Sequence, residues 1–206
     1  NTALPVETRV ELARIRDVYD LPFRLSPQKG RALIVGAGTG NDVQAALKQG
    51  YREVYSVDID SRILDIGYRL HPAQPYRDPR AIRVVNDARA FFEQYQGEPF
   101  DLIDYGLLDS HAMFSSMSSL RLDNFVYTEQ GIRAAWKHLA PDGVLCVNFC
   151  LYAGDWIGDR LYWTITRATG QEPKAVNTDV YYGGLFVVAQ NPPAADMRPL
   201  AAYQTF

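Results

Sequence analysis

Short apolar runs alternate with segments of helical periodicity along almost the whole chain of 206 residues. The runs predict strands at 31–35, 53–57, 82–85, 100–105, 143–149, 173–177 and 183–190. The segments between them predict helices at 41–49, 60–70, 88–95, 128–139 and 156–169. Regular alternation of strand and helix is typical of a parallel sheet with helices on both faces. The last two runs follow one another without a helix, which predicts an antiparallel hairpin at one edge.

The pattern therefore predicts a Rossmann-like, doubly wound α/β domain over residues 30–206, with a mostly parallel, seven-stranded sheet. Residues 1–29 precede it and predict an N-terminal helix at 6–19 followed by a linker. The expected apolar positions of that helix are Val10, Ala13, Ile15 and Val18. The first residue is Asn1 rather than a methionine, so we expect an excerpt of a longer protein or a processed form.

Three glycines follow the first strand in the segment RALIVGAGTG at 31–40. Such a strand–turn–helix brings backbone N–H groups and a helix N-terminus against a ligand. The spacing is G-x-G-x-G, because Asn41 stands where the dinucleotide fingerprint has its last glycine. We therefore predict that Gly36, Gly38, Thr39 and Gly40 bind a nucleoside-type cofactor such as S-adenosylmethionine. A purely structural turn is the alternative.

Two further acids stand where predicted strands end. Asp58 lies about 20 positions after the glycine turn, where a carboxylate can accept hydrogen bonds from both ribose hydroxyls. Asp87 follows the next strand, where it can accept from the adenine amino group, cap the following helix, or do both. Ile59 and Ala88, beside these acids, complete the predicted cofactor-binding set.

A long connection follows the fourth strand and runs over residues 105–128. Connections of this length are usually binding loops, and this one starts at the carboxyl end of a strand. We predict that Asp109 and His111 act as base or orient the acceptor, with Tyr105 near the transferred group. The alternative is a loop that is merely packed down by its apolar residues.

Composition narrows the set of partners. The net charge is −3 and no basic block occurs, so we expect no nucleic-acid partner. No apolar stretch is long enough to span a membrane. The three histidines are scattered along the chain, so no metal site is predicted. The two cysteines share one predicted strand and are read as free thiols, so a reducing, cytoplasmic setting is expected. Two roles are possible for the apolar C-terminal residues at 200–206: they cover a partner, as in a homodimer, or they dock on the chain's own sheet.

Taken in order, LIVGAGTG, EVYSVDID, DPRAIRVVNDARAFF and FDLIDYGLLDS resemble the nucleotide-binding half of spermidine synthase and its relatives. These belong to the class I S-adenosylmethionine-dependent transferases. The resemblance covers roughly residues 30–150. It implies that the three glycines line the cofactor, that Asp58 binds the ribose, and that Asp87 lies at the adenine.

The chain departs from the resembling family at two acidic positions. Thr39 stands where aminopropyltransferases carry an acid that recognises the aminopropyl ammonium of decarboxylated S-adenosylmethionine. Gly106 stands at the first Asp of their D-x-x-D-P motif, which helps to deprotonate the acceptor amine, while Asp109 matches the second. Residues 1–29 also cannot form the β-rich lobe that covers the polyamine in those enzymes.

These departures favour an S-adenosylmethionine-dependent methyl transfer to a small-molecule acceptor as the leading hypothesis. Aminopropyl transfer from decarboxylated S-adenosylmethionine is the alternative, with Asp104 or Asp109 in place of the missing acid. A third hypothesis is a non-catalytic nucleoside-binding or assembly module. A nicotinamide oxidoreductase comes last, because Asn41 replaces the final glycine of the fingerprint.

Substitution of either Asp109 or His111 by alanine should lower turnover more than cofactor affinity, because both are expected to act on the acceptor. Steady-state kinetics and calorimetric cofactor titration of the same variants separate the two effects. Equal losses in both quantities, or no loss in either, would contradict the assignment.

Overall fold

The computed structural model describes residues 5–108, 126–151, 154, 156–178, 180, 183–191, 196–202 and 204–205. Its helices are α1 (Val6–Leu25), α2 (Asn41–Lys48), α3 (Ser61–Leu70), α4 (Ala88–Gln94), α5 (Glu129–Lys137) and α6 (Trp156–Thr169). Its strands are β1 (Arg31–Val35), β2 (Glu53–Asp58), β3 (Ala81–Val85), β4 (Phe100–Tyr105), β5 (Leu139–Cys150), β6 (Lys174–Asn177), β7 (Gly183–Ala189) and β8 (Gln204–Thr205). Short 3-10 turns lie at Pro75–Arg77 and Arg198–Ala202.

All eight strands form one sheet in the order β3-β2-β1-β4-β5-β7-β6-β8. The first five strands in this order pair in parallel, whereas β7 is antiparallel to both β5 and β6. This confirms the doubly wound, mostly parallel α/β fold with an antiparallel edge hairpin. The prediction of seven strands missed β8, which pairs with β6. Two residues are too few to produce a periodic pattern in the sequence.

Side chains alternate between the two faces of the sheet and build one core layer on each face. On the first face, Ile34, Leu102 and Val144 pack beneath α1, α2 and α3. On the second face, Leu33, Ile103 and Leu145 pack beneath α4, α5 and α6. Strands β1 and β4 are buried from both sides, as expected for parallel strands covered by helices. The predicted placement of helices on both faces is therefore confirmed.

The first helix is longer than predicted and buries a different part of its sequence. It continues to Leu25 through Pro22, and the buried side chains lie at its end, among them Leu21 and Phe23. The apolar positions predicted for this helix do not face the core, since Val10 is 56% exposed. Burial of the last turn outweighs the hydrogen bond lost at Pro22. Across the described ranges, no helix is both long and apolar enough to cross a membrane.

Strand β5 begins earlier than predicted, at Leu139, and includes residues 140–142, which were expected to lie between the helix at 128–139 and the strand at 143–149. The pairing with β4 shifts register from Phe100–Leu139 to Leu102–Val144, so these residues form an irregularity within the strand. The remaining predicted elements begin and end within about two residues of the observed ones.

The C-terminal segment docks on the chain's own core. Leu200 is 1% exposed and belongs to the layer beneath α1. The amide of Asp196 donates to the Leu25 carbonyl at 3.0 Å, which ties this segment to the end of α1. The docking alternative therefore holds for Leu200, whereas Tyr203 and Phe206 lie outside the described residues.

Replacement of Phe23 by alanine should lower the free energy of unfolding by about 3–5 kcal/mol, because the ring is fully buried against Tyr51. The matched control is Val10→Ala in the exposed half of the same helix, which should stay within about 0.5 kcal/mol of the parent. Urea denaturation measures both. A small loss for Phe23→Ala would show that the end of α1 is not part of the core.

Candidate functional site

The glycine turn after β1 has the backbone geometry that only glycine adopts readily. Gly36, Gly38 and Gly40 have φ angles of 74°, 52° and 103°. A Cβ on Gly36 would lie 1.5 Å from a Leu108 methyl carbon, so a side chain there is also excluded by contact. At Gly38 the corresponding space is open, with only the Gly36 carbonyl oxygen at 3.9 Å. A ligand can therefore lie directly on the backbone at Gly38.

Asp58 ties the glycine turn to the end of β2. One carboxylate oxygen accepts from the Gly38 amide and the other from the Asp60 amide, both at 2.9 Å. Each carboxylate oxygen has a second lone pair, so both can still accept a hydrogen bond from a vicinal diol. The predicted ribose acid thus lies beside the predicted glycine turn.

Asp87 and two exposed apolar side chains lie at the neighbouring strand ends. Asp87 caps α4 with Oδ1, which accepts from the amides of Arg89 and Ala90. No residue in the described part of the chain donates to its Oδ2, so one oxygen is left for an incoming donor. Ile59 and Val85 are 52% and 58% exposed, and Val85 is in register with Asp58. Ala88 is buried in the first turn of α4. This edge offers apolar surface and one acceptor to a planar base.

Tyr76 supports the glycine turn from behind, a role that the sequence did not reveal. Its hydroxyl donates toward the carbonyls of Gly38 and Ala37, at 2.8 and 3.2 Å. Its ring lies against Gly40 and Gly67. A side chain at Gly67 is excluded twice, because its Cβ would meet the Tyr76 ring and would lie 2.4 Å from the Thr39 carbonyl oxygen. Burial raises the pKa of Tyr76, which keeps the donor protonated. Its loop, HPAQPYRDP, follows the helix predicted at 60–70 and carries no motif that points to this role.

An acidic pair lies at the carboxyl ends of β1 and β4. Asp104 is 0% exposed and accepts from the Asn148 amide at 2.9 Å through Oδ1. Its Oδ2 has no hydrogen-bond partner in the described part of the chain. Asp42, in the first turn of α2, is partly buried and interacts electrostatically with Asp104. The Tyr127 hydroxyl lies 3.4 Å from the Gly106 carbonyl and 3.2 Å from that of Asn148, linking the ends of β4 and β5.

Both carboxyl groups of this pair hold a proton more strongly than a solvated aspartate. Burial raises the pKa of Asp42 to about 7. Burial, and then the charge of Asp42, raises the pKa of Asp104 well above its usual range, while the hydrogen bond from Asn148 acts in the opposite direction. Two carboxylates this close cannot both ionise without mutual repulsion. Near neutral pH the pair can therefore accept or release one proton.

The three predicted catalytic residues are not brought together by the described part of the chain. Tyr105 is fully buried on the face of β4 opposite Asp104, in the layer beneath α5, and its hydroxyl donates to the Gly131 carbonyl at 3.3 Å. Asp109 and His111 lie outside the described residues. The predicted cofactor residues, by contrast, share one edge of the sheet.

Strand order reverses between β1 and β4, and ligands of open α/β sheets bind at this switch point. The glycine turn, Asp58 and the acidic pair all surround it. Fold and site together define a Rossmann-like domain in which a glycine turn, two strand-end carboxylates and a buried acidic pair share one edge of the sheet.

Comparison with known families agrees with this class. Residues 11–152, more than half of the chain, match the family model of the spermine/spermidine synthase domain. The chain therefore belongs to that family. The matched residues include the glycine turn, Asp58, Asp87 and both members of the acidic pair.

Curated relatives share the name polyamine aminopropyltransferase. Polyamine aminopropyltransferase 2 of Caldanaerobacter subterraneus subsp. tengcongensis is 36% identical over 81 residues, which are 39% of this chain and 27% of the relative. Polyamine aminopropyltransferase 1 of Aquifex aeolicus is 28% identical over 127 residues, which are 60% of this chain and 42% of the relative. The chain thus matches less than half the length of these relatives.

Solved structures share the fold at low sequence identity. A crystal structure of spermidine synthase in complex with the transition state analogue AdoDATO superposes with a TM-score of 0.69 at 17% identity, covering 93% of this chain and 64% of the other. Spermidine synthase from Thermotoga maritima also gives 0.69 at 17% identity, covering 92% and 63%. At this identity the likeness establishes the fold.

The leading hypothesis of methyl transfer is wrong. The family matched by the chain is that of spermine and spermidine synthases, and the curated relatives are named for aminopropyl transfer. The two missing acids at Thr39 and Gly106 had favoured methyl transfer, because the sequence alone did not show that other carboxylates lie close by.

The substitution Asp58→Asn should weaken binding of S-adenosyl nucleosides roughly 10- to 100-fold, because the amide replaces a charged acceptor of the ribose hydroxyls. Asp65→Asn, an exposed acid on the neighbouring α3 that pairs with Arg69, is the matched control and should leave the Kd unchanged. Isothermal titration calorimetry measures both. Unchanged affinity in Asp58→Asn would remove Asp58 from the nucleoside site.

Proposed function

We propose that this chain transfers the aminopropyl group of decarboxylated S-adenosylmethionine to an amine of a polyamine-type acceptor. The match of residues 11–152 to the spermine/spermidine synthase domain carries the proposal. The relatives named polyamine aminopropyltransferase support the same reaction class. The chain matches less than half the length of these relatives, so the polyamine-type acceptor is proposed for it rather than taken over from them.

The residues present fit the nucleoside portion of such a donor. The open space above Gly38 admits it to the backbone, Asp58 retains acceptor capacity for the ribose, and Asp87 retains one oxygen for the adenine amino group. Exposed Ile59 and Val85 supply apolar surface for the base. The donor brings a sulfonium-activated carbon, so the protein has to align the acceptor nitrogen with that carbon and manage one proton.

The charge at the switch point favours the decarboxylated donor. Asp42 lies where the transferred group would extend from the nucleoside edge, beside Gly106. Carboxylates repel the α-carboxylate of S-adenosylmethionine and attract the ammonium of its decarboxylated form. The Asp42–Asp104 pair can therefore serve in place of the acid that the family carries at the position of Thr39.

A non-catalytic nucleoside-binding module is the second candidate. The absence of the two family acids at Thr39 and Gly106 favours it. Such a module binds the nucleoside but transfers nothing to any amine. Aminopropyl transfer requires both donor binding and turnover of an amine.

Calorimetric titration should give at least tenfold tighter binding of decarboxylated S-adenosylmethionine than of S-adenosylmethionine, because only the latter brings a carboxylate to the acidic pair. Incubation with linear diamines and triamines should release 5′-methylthioadenosine, detected by chromatography. Asp58→Asn is the control that should lose donor binding. Tighter binding of the carboxylated form, or binding without product, would contradict aminopropyl transfer.

A further inference from the structure

An amine acceptor must lose a proton before its nitrogen can attack. Alkyl ammonium groups have pKa values near 10, so the acceptor arrives protonated at neutral pH. The enzyme therefore needs a group at the transfer site that accepts a proton near neutrality. Among the described residues around the switch point, the Asp42–Asp104 pair has this property.

Asp42 occupies the space above Gly106. A Cβ built on Gly106 would lie 3.0 Å from Asp42 Oδ2, and the carbonyls of Gly36 and Val35 lie at 3.5 and 3.7 Å. The carboxylate of α2 therefore stands where a side chain from the end of β4 would project. Gly106 is also the position at which the chain departs from the D-x-x-D-P motif. A carboxylate is thus present at this place, although a different element supplies it.

A cleft between α1 and the end of the sheet leads to Asp42. Its polar lining includes Asp42 and Asn148. Its apolar lining includes Ile15, Val18 and Leu107. A methylene chain that ends in an amine matches this combination, because the chain can lie on the apolar wall while the amine meets the carboxylate.

Asp104 accepts a hydrogen bond from Asn148 of the cleft lining and has one oxygen unsatisfied. It is fully buried, and Oδ2 has no partner within the described ranges although Asn148 holds Oδ1. An unpaired carboxylate oxygen this deep is costly unless it carries a proton or meets a donor. The unpartnered Oδ2 therefore indicates, independently of Asp42, that Asp104 carries a proton or meets a cationic ligand.

We propose that Asp42 is the base that takes the proton from the attacking amine, and that Asp104 is a positioning residue that shares this proton. The proposal rests on the aminopropyl transfer proposed above and specifies its acceptor site.

The step balances without a further reactant. The acceptor ammonium gives one proton to the Asp42 carboxylate and becomes a neutral amine. Its lone pair forms the new N–C bond to the aminopropyl carbon while the C–S bond breaks and its electron pair remains on sulfur. Sulfonium thereby becomes a neutral thioether, and the product nitrogen is left as a secondary ammonium. The proton on Asp42 returns to solvent when the product leaves.

The base should be active only when it is ionised, so kcat/KM should rise as pH increases through about 7. The two carboxyl groups titrate as a pair, and the deeper Asp104 retains the last proton. Other titratable groups around Asp42 are Tyr76 of the 3-10 turn, Asp58 of β2, Tyr19 of α1, and Cys146 of β5 behind Asp104. Burial raises the pKa of Tyr76 and Cys146, so neither charges near neutrality.

The substitution Asp42→Asn should lower kcat with 1,4-diaminobutane about 100-fold and remove the rise near pH 7, because the amide cannot accept the proton. Affinity for decarboxylated S-adenosylmethionine should fall by about tenfold at most, less than kcat, because only the attraction of Asp42 for the donor ammonium is lost and the nucleoside contacts are untouched. Asp65→Asn is the matched control and should behave as the parent. Thermal unfolding verifies that each variant is folded.

A compensating substitution tests the location of the carboxylate. Asp42→Ala should lose kcat as Asp42→Asn does and leave the space above Gly106 empty. Gly106→Asp added to Asp42→Ala should restore at least a tenth of the parent kcat, because it returns a carboxylate to that space from the end of β4. Gly106 has no left-handed φ, so its backbone accepts a side chain. Failure of a folded double variant to recover any activity would overturn the assigned location.

Asp104 is tested through the pH profile. In Asp104→Leu, which neither holds the shared proton nor donates a hydrogen bond, the rise in kcat/KM should move to higher pH by at least about half a unit, because a protonated Asp104 that shares its proton stabilises the ionised form of Asp42. An unmoved profile would show that Asp104 does not share the proton.

Diamine binding separates failure of this proposal from failure of aminopropyl transfer. Calorimetric titration of 1,4-diaminobutane in the presence of 5′-methylthioadenosine requires no turnover, and Asp42→Asn should weaken that binding at least tenfold. Unchanged diamine binding and unchanged kcat in Asp42→Asn, with an active parent, would overturn the role of Asp42 alone. An inactive parent that binds diamine through Asp42 would overturn aminopropyl transfer and the role as base, and leave an amine-binding site.

Discussion

The central position of β1 determines where every part of the site lies. The strand is hydrogen-bonded to β2 on one side and to β4 on the other, and four of its five residues are buried. Its carboxyl end is therefore held in place from both neighbours and from both core layers. The glycine turn leaves this end, and its first two amides, of Gly36 and Ala37, donate to the Val57 carbonyl of β2. A tight turn between three fixed strands creates a small, polar edge that a nucleoside can share with an acceptor.

Acidic groups at this edge lie in two different environments. Asp58 and Asp87 accept hydrogen bonds from backbone amides, which suit ionised carboxylates that can also receive ligand donors. Burial raises the pKa of both Asp42 and Asp104, and the charge of Asp42 raises that of Asp104 further. The first two are suited to recognition and the second two to proton exchange. Burial of an acid without a full set of hydrogen-bond partners is destabilising.

Tyr76 illustrates how recognition depends on support from outside the motif. Its hydroxyl bonds to two carbonyls of the glycine turn, and its ring fills the space that Gly40 and Gly67 leave. The turn residues have little side chain of their own with which to hold their conformation. A rigid aromatic side chain from the 3-10 turn supplies that constraint, so the backbone amides face a ligand without first having to be ordered.

Local sequence patterns determined the alternating elements, the glycine turn and the strand-end acids, because each depends on residues that are close together in the chain. The same patterns misplaced the buried part of α1, missed β8, and gave Tyr76 no role. They also favoured the wrong transfer reaction, since the motif positions at Thr39 and Gly106 lack acids. Only the tertiary structure brings Asp42 from α2 over Gly106 and next to Asp104 of β4, residues separated by some sixty positions. Contacts across parallel strands and their helices leave no periodic trace, because the chain reaches them through long crossovers.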